Sequence, residues 1–471
     1  AKWIAADPGE VWKSVHPFNR LNPTLLGADW FPADGVVRSS RDPFYRFHLW
    51  WHTQGPNEQV VNRILAEEIK RVRPDITTVV EPVLRRPPVR VYPENIDVAQ
   101  EWFYYENPLT AVHVQERLAA ISRGSQMKPS GMPQFLFKPG GAAPFAATPP
   151  PDMLRQVVWL CASRPLAMMS FWGWDRVLNK GKCLTIDEIK DRLGGLEGDA
   201  AWKAAKEWGE SGGLFIPEVK ETFADLSERL WKPFGPLLMK WRNLPRHVAV
   251  LDSLANHIYN NNRWPQHGWL MDALTSSGVP YDVLFDQDFL TGEPLLDRYS
   301  VLILPRTHAM TDRAHNHVTA FLRRGGRVVA DAECKVGRLP GLELLGEEGK
   351  GEFIGMLREL PPLPVRVKTD HIIWNVLGHA GAKYLVVVND LRESGEYLGR
   401  WGRVREKGSA QTVELAVNDS FPAHALDMNA RTELATREDA GWRHLTFALG
   451  PAEGKIVMFA ADVPKRVDVS L

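Results

Sequence analysis

Apolar and polar positions set three successive rhythms along this chain. Residues 1–58 have no clean period and are rich in Pro, Trp and Arg, which reads as loops and short helices packed on something larger. From Glu58, the positions Val61, Ile64, Leu65 and Ile69 recur at helical spacing, and Pro74 stops the pattern. Four apolar runs then alternate with helical stretches. Residues 76–80 deliver Glu81 to a strand end, and residues 97–105 carry Glu101 and close at Glu106-Asn107-Pro108. Residues 133–137 end at Lys138 and a Pro/Gly-rich loop, and residues 166–172 close at Gly173-Trp174-Asp175. Helical patterns at 112–121 and 153–162 lie between them. This order argues for parallel pairing through right-handed crossovers. A closed (β/α)8 barrel needs eight strands in about 250 residues. Residues 1–242 therefore read as a partial TIM barrel with a helical extension, its other half supplied by a preceding segment or another chain.

Residues 184–242 are helical, with Thr185-Ile186-Asp187-Glu188 fitting a capping box and Val219, Phe223, Leu226 and Leu230 forming one stripe. Pro233, Pro236 and Pro245 punctuate a connector, which places a boundary near 243. Next come the buried-type strands HVAVLD, YDVLF, YSVLILP and RVVADA, separated by helices, which predict a doubly wound sheet over 243–360. Beyond that, short alternating strands and turns predict a small antiparallel β-sandwich over 361–471. The fold class is α/β.

Charge narrows the partners. Lys+Arg and Asp+Glu number 57 each, so bulk electrostatics favour neither nucleic acid nor an anionic membrane. No apolar run approaches the roughly 20 residues that cross a bilayer. The chain reads as soluble, either cytoplasmic or exported after processing. Its 3 cysteines, Cys161, Cys183 and Cys334, are too few and too scattered for a disulfide framework or a Cys-rich metal site.

Candidate chemistry gathers at the predicted strand ends, where a parallel barrel has its rim. Trp172 and Trp174 offer flat amphipathic faces for the C–H faces of sugars, though core packing explains them equally well. Glu81, Glu101, Glu106 and Asp175 are the carboxylates nearest those ends, placed for proton transfer or for holding sugar hydroxyls. The alternative is a rim of salt bridges to Arg85, Arg86 and Arg176. His48 and His52 have the spacing of zinc ligands but lack a third ligand, and His308, His315 and His317 meet the same objection. No metal and no cofactor is expected, and the sequence has no GxGxxG, P-loop or basic-aromatic array.

Three domains in this order resemble the C-terminal part of glycoside hydrolase family 42, the bacterial β-galactosidases of clan A. The strands HVAVLD, YDVLFD, YSVLILP and GRVVADA with the helix TDRAHNHVTAFLRRGG carry the likeness in the middle. YLVVVND, HALDMNARTEL and LGPAEGKIVMF carry it at the end, and DPFYRFHLWW, DVAQEW, GMPQFLFKPGG and SFWGWD upstream. The resemblance implies a partial barrel, a glutamine-amidotransferase-like trimerisation domain and a small β domain. It also implies a carbohydrate substrate, β-galactosides or related sugars, and a homotrimer. A retaining member uses one Glu as acid/base on the fourth strand and another as nucleophile on the seventh, about 5–5.5 Å apart. The fourth strand would precede Ala1. The seventh aligns with PQFLFKP, which puts Lys138 where the nucleophile belongs, and an ammonium cannot form the glycosyl ester. Hydrolysis through Glu81, Glu101 or Glu106, with Trp172, Trp174, Asp175 and Lys138 binding substrate, is one expectation; a non-catalytic binding or assembly subunit is the other. For the middle domain, Cys334 is displaced from a nucleophile elbow and no His-x-Glu pair follows, so a scaffold role is expected there.

Overall fold

The computed structural model describes residues 32–54, 58–81, 89, 95–103, 108–123, 128–133, 150–171, 183–184, 186–196, 200, 203–204, 213–214, 218–259, 268–290, 295–337, 339–361, 363–397 and 403–463. Its first sheet has four strands, Val79–Val80, Val98–Phe103, Lys128–Pro133 and Met168–Met169, in that spatial order and all parallel. The helices Thr110–Ser122 and Pro151–Ala162 are the crossovers between successive strands. Parallel neighbours need such crossovers, because a tight hairpin cannot return the chain in the same direction.

The third strand departs from the sequence expectation. Hydropathy favours the apolar run at 133–137, whereas the paired strand is Lys128–Pro133, with Ser130 opposite Met168. Residues 134–137 lie outside the described residues. Polar Ser130 is tolerated because its hydroxyl donates to the Met168 carbonyl at 2.7 Å. A satisfied hydroxyl removes most of the cost of burial.

The Glu58–Val72 helix forms as its period predicts, but its apolar stripe faces outward. Val61, Ile64, Leu65, Ile69 and Val72 are 43–66% exposed. Ile76, just before the outer strand of the sheet, and Val79, within it, are exposed too.

A five-stranded parallel sheet follows, in spatial order Tyr281–Leu284, Val248–Leu251, Val301–Leu304, Arg327–Asp331, Glu343–Leu345. The last strand adds to the four that the sequence predicts. The first four are buried almost throughout, which is why they read as continuous apolar runs. The third region is antiparallel, with a four-stranded sheet from Val365 to Leu449 and a six-stranded sheet whose edge strand is Arg242–Asn243. The connector thus pairs with the Ile372–His379 strand. One hydrophobic core takes residues from both antiparallel sheets, from the five-stranded sheet and from the helices of the first. Where the Trp269–Ser277 helix meets the Ile372–His379 strand, Gly278 has φ +78°, and a Cβ there would collide with the Ile372 carbonyl. Only glycine fits both the left-handed turn and the close approach.

Candidate functional site

Ligands of parallel sheets bind beyond the carboxyl ends of the strands. In the four-stranded sheet, Glu81 directly follows the Val79–Val80 strand and is exposed. Glu101 lies in the Val98–Phe103 strand, opposite Gly131, and is 3% exposed. Strand side chains alternate between faces, so Glu101 shares a face with Ala99, which belongs to the core that the covering helices complete. Gln100 points to the other face. Glu106, Lys138, Trp172, Trp174 and Asp175 lie outside the described residues.

On that other face the register assembles a polar belt that composition does not reveal. Gln100 Nε2 donates to Ser130 Oγ at 3.0 Å and to Ser170 Oγ at 2.7 Å. Ser130 in turn donates to the Met168 carbonyl, so three adjacent strands are tied by side chains as well as by their backbones. Gln100 and Ser130 are buried. The belt presents neutral hydrogen-bonding groups, the chemistry that sugar hydroxyls need, below the carboxyl ends of the strands.

The five-stranded sheet has its own carboxyl-end crevice. Asp252 and Asp286 stand there, one residue beyond the Val248–Leu251 strand and two beyond the Tyr281–Leu284 strand. Burial raises Asp286 to about 6, against hydrogen bonds from the Ala255 amide and the Ser253 hydroxyl. Burial also acts on Asp252, but the Arg117 guanidinium and His257 hold it below the ordinary carboxylate range. The chain itself covers this crevice. The Pro43–Thr53 helix packs against the Leu254–Tyr259 helix, Tyr45 is buried, and Tyr259 donates to Asp42 at 2.7 Å. Val36–Val37 pairs with Met310–Thr311 alongside. Cys334, past the Arg327–Asp331 strand, has its thiol pushed up to about 11 by burial. A thiol that stays protonated at neutral pH is a poor nucleophile.

His48 and His52 stack at 5.9 Å on the Pro43–Thr53 helix, and burial lowers His48 to about 3, with the His52 charge adding to the effect. Among the described residues no group of three or more His, Cys, Asp or Glu is arranged to hold a metal ion. Nor is any described helix long and apolar enough to cross a membrane.

No family model matches the sequence, and no curated protein matches it. Solved structures do match in fold. An α-L-fucosidase isoenzyme 2 from Paenibacillus thiaminolyticus superposes with a TM-score of 0.54 at 12% identity, over 85% of this chain and 70% of that one. A β-galactosidase from Bacillus circulans sp. alkalophilus gives 0.51 at 12% identity, over 85% of this chain and 66% of that one. A catalytic mutant of a GH42 β-galactosidase from G. stearothermophilus gives 0.50 at 10% identity, over 84% and 66%. This chain therefore has a glycosidase-like α/β fold and spans just under two thirds of the length of either β-galactosidase.

Proposed function

We propose that this chain is the greater part of a glycoside hydrolase acting on β-galactosides or related carbohydrates. The observation that carries the reading is the parallel four-stranded sheet with a buried Gln100–Ser130–Ser170 belt on one face and Glu81 at a strand's carboxyl end. The glycosidase-like fold supports it. Glu81, exposed at the strand end, is the first acid to test and Glu106 the next; Glu101, buried on the face that the helices cover, ranks last, and Trp172, Trp174, Asp175 and Lys138 are assigned to substrate. Further parallel strands complete the barrel beyond the Val79–Val80 edge, and the outward stripe of the Glu58–Val72 helix is the face they cover. The five-stranded region is read as an amidotransferase-like scaffold that makes a homotrimer, and the covered crevice and protonated Cys334 favour assembly over catalysis there.

A specific observation favours a second reading. Lys138 stands where the resemblance places a carboxylate nucleophile, so the chain is alternatively a sugar-binding or assembly subunit without turnover. Aryl β-galactoside hydrolysis by the purified protein, lost at least a hundredfold in Glu81→Gln, supports the hydrolase. Calorimetric sugar binding without turnover, lost in Trp174→Ala, selects the subunit. Neither hydrolysis nor binding of galactosides by the protein with its barrel complete would sink both.

A further inference from the structure

The four-stranded antiparallel sheet keeps one face in the core and turns the other to solvent. Val413, Leu415 and Val417 of the Gln411–Asn418 strand are buried, as are Leu445 and Leu449 of the Trp442–Leu449 strand. The positions between them form the open face, because strand side chains alternate. Register sets Arg366, Ala416, His444 and Arg437 in one row across this face, one from each strand. Asn418, Trp442 and Asp439 belong to the next row, and Glu414 to the row on the other side.

Arg366 reaches beyond its own strand. Its guanidinium lies over the Trp442 ring, 4.1 Å from the centroid and two strands away. On the way it crosses the strand of Ala416, which stands opposite Arg366 and is small enough to be crossed. The guanidinium thus arrives at the strand of His444, and Arg437 stands on the next strand, about 4.8 Å further. Neither arginine nor the His444 ring has a hydrogen-bond or ion-pair partner among the described residues. By contrast, the exposed Arg324 and Arg327 are paired with Asp297 and Glu343. A guanidinium stacked on an aromatic face is held flat with its N–H edge free, the geometry that takes a carboxylate by two parallel bonds.

We propose that this open face binds a polysaccharide bearing uronate groups, with a sugar carboxylate accepting from Arg366 and Arg437. Glu414 and Asp439 stand on the same face without pairing to the row, and carboxylates there suit ring hydroxyls while repelling phosphates. An acidic sugar chain offers a carboxylate to the arginines and hydroxyls to the acids, whereas the backbone of DNA offers both only anions. The choice of a sugar chain rests on the carbohydrate reading above; the capture of a carboxylate by the row does not.

The test is calorimetric titration of the whole chain with polygalacturonate oligomers at fixed ionic strength, with a DNA oligonucleotide as the comparison. Saturable binding of polygalacturonate is expected. Arg366→Gln and Arg437→Gln should each weaken it roughly tenfold, as loss of a charge-assisted hydrogen-bonded contact does. Arg366→Lys should restore only part of the loss, since an ammonium has no planar fork. Both positions are exposed, so urea midpoints should stay those of the wild type. No binding of polygalacturonate overturns the proposal, and so does binding that neither Gln variant weakens, which would place the contact elsewhere. Tighter binding of DNA, lost in the same variants, would give the face to nucleic acid and overturn it too. Aryl β-galactoside hydrolysis by the wild type is measured alongside: its absence with polygalacturonate binding intact counts against the hydrolase and supports this face.

Discussion

Arg117 donates from Nε to Asp252 Oδ2 at 2.7 Å, and both side chains are 2% exposed. The pair joins the Thr110–Ser122 helix of the four-stranded sheet to the end of the Val248–Leu251 strand of the five-stranded one. The residue before it on the same helix, Glu116, holds Arg164 at 3.0 Å and also Arg246. This explains why a helix bearing His113, Gln115, Glu116 and Arg117 is buried nearly all round: each charge has a partner across the junction.

Removing one member of that pair leaves the other charged and buried. Arg117→Met should cost roughly 3–5 kcal/mol, and Arg117→Met with Asp252→Asn much less than the sum of the two singles. Urea unfolding of the four proteins in the cycle measures this. Additive losses would mean that the two side chains act independently.

Asp286 gives a pH signature. Its folded value, about 6, lies above the ordinary 3.8, so the folded state binds the extra proton and is favoured at low pH. This contribution is fully present below about 3.8 and is lost as pH rises through about 6. Asp286→Asn should flatten stability between those limits, by up to about 3 kcal/mol, since each pKa unit is worth 1.36 kcal/mol. Unfolding free energies of both proteins at pH 4 and pH 6.5 provide the check. Asp252 acts in the opposite sense, because its depressed value stabilises above the ordinary carboxylate range and that stability fades as pH falls.

The polar belt should be worth more than its size. Gln100→Leu leaves Ser170 without its donor and buries an apolar group beside Ser130, at a cost of about 1–3 kcal/mol. Gln100→Glu should cost at least as much, since a carboxylate cannot donate to Ser170 Oγ. Both are read from denaturant midpoints, and a cost within 0.5 kcal/mol would place the belt outside the folded core.

The outward stripe predicts a contrast. Ile64→Glu and Leu65→Glu touch exposed positions and should change the stability of this chain by less than about 0.5 kcal/mol. The same changes should weaken association with the strands proposed to complete the barrel, measured by size-exclusion chromatography with light scattering. A large loss of stability in the isolated chain would show the stripe to be part of its own core.

Gly278 is the sharpest backbone constraint. Gly278→Ala should destabilise by several kcal/mol, about 1 from the left-handed turn and the rest from the collision with Ile372. Circular dichroism during heating reports it directly, and an unchanged Tm would show that the two segments can part without cost.

Much of the fold is written locally. The runs that became Val248–Leu251, Val301–Leu304 and Arg327–Asp331 are apolar enough to demand burial on both faces, and the alternation beyond residue 360 demands paired strands with one face dry. The Glu58–Val72 helix is equally legible from its period. A period identifies which residues share a face but not what covers it, so the outward turn of Val61, Ile64 and Leu65 emerged only from the assembled chain. Register was likewise hidden. Gln100 meets Ser130 and Ser170 because neighbouring strands align at those positions, and a shift of one residue would have turned Glu101 to that face instead. The partners Arg117 with Asp252 and Arg246 with Glu116 are separated by 135 and 130 positions, beyond any local pattern. The sequence determined most of the helices and the most apolar strands, though not Lys128–Pro133 or Glu343–Leu345, because propensity and periodicity act between near neighbours. Tertiary structure alone decided which charges meet and which faces stay open, because those depend on how distant surfaces dock.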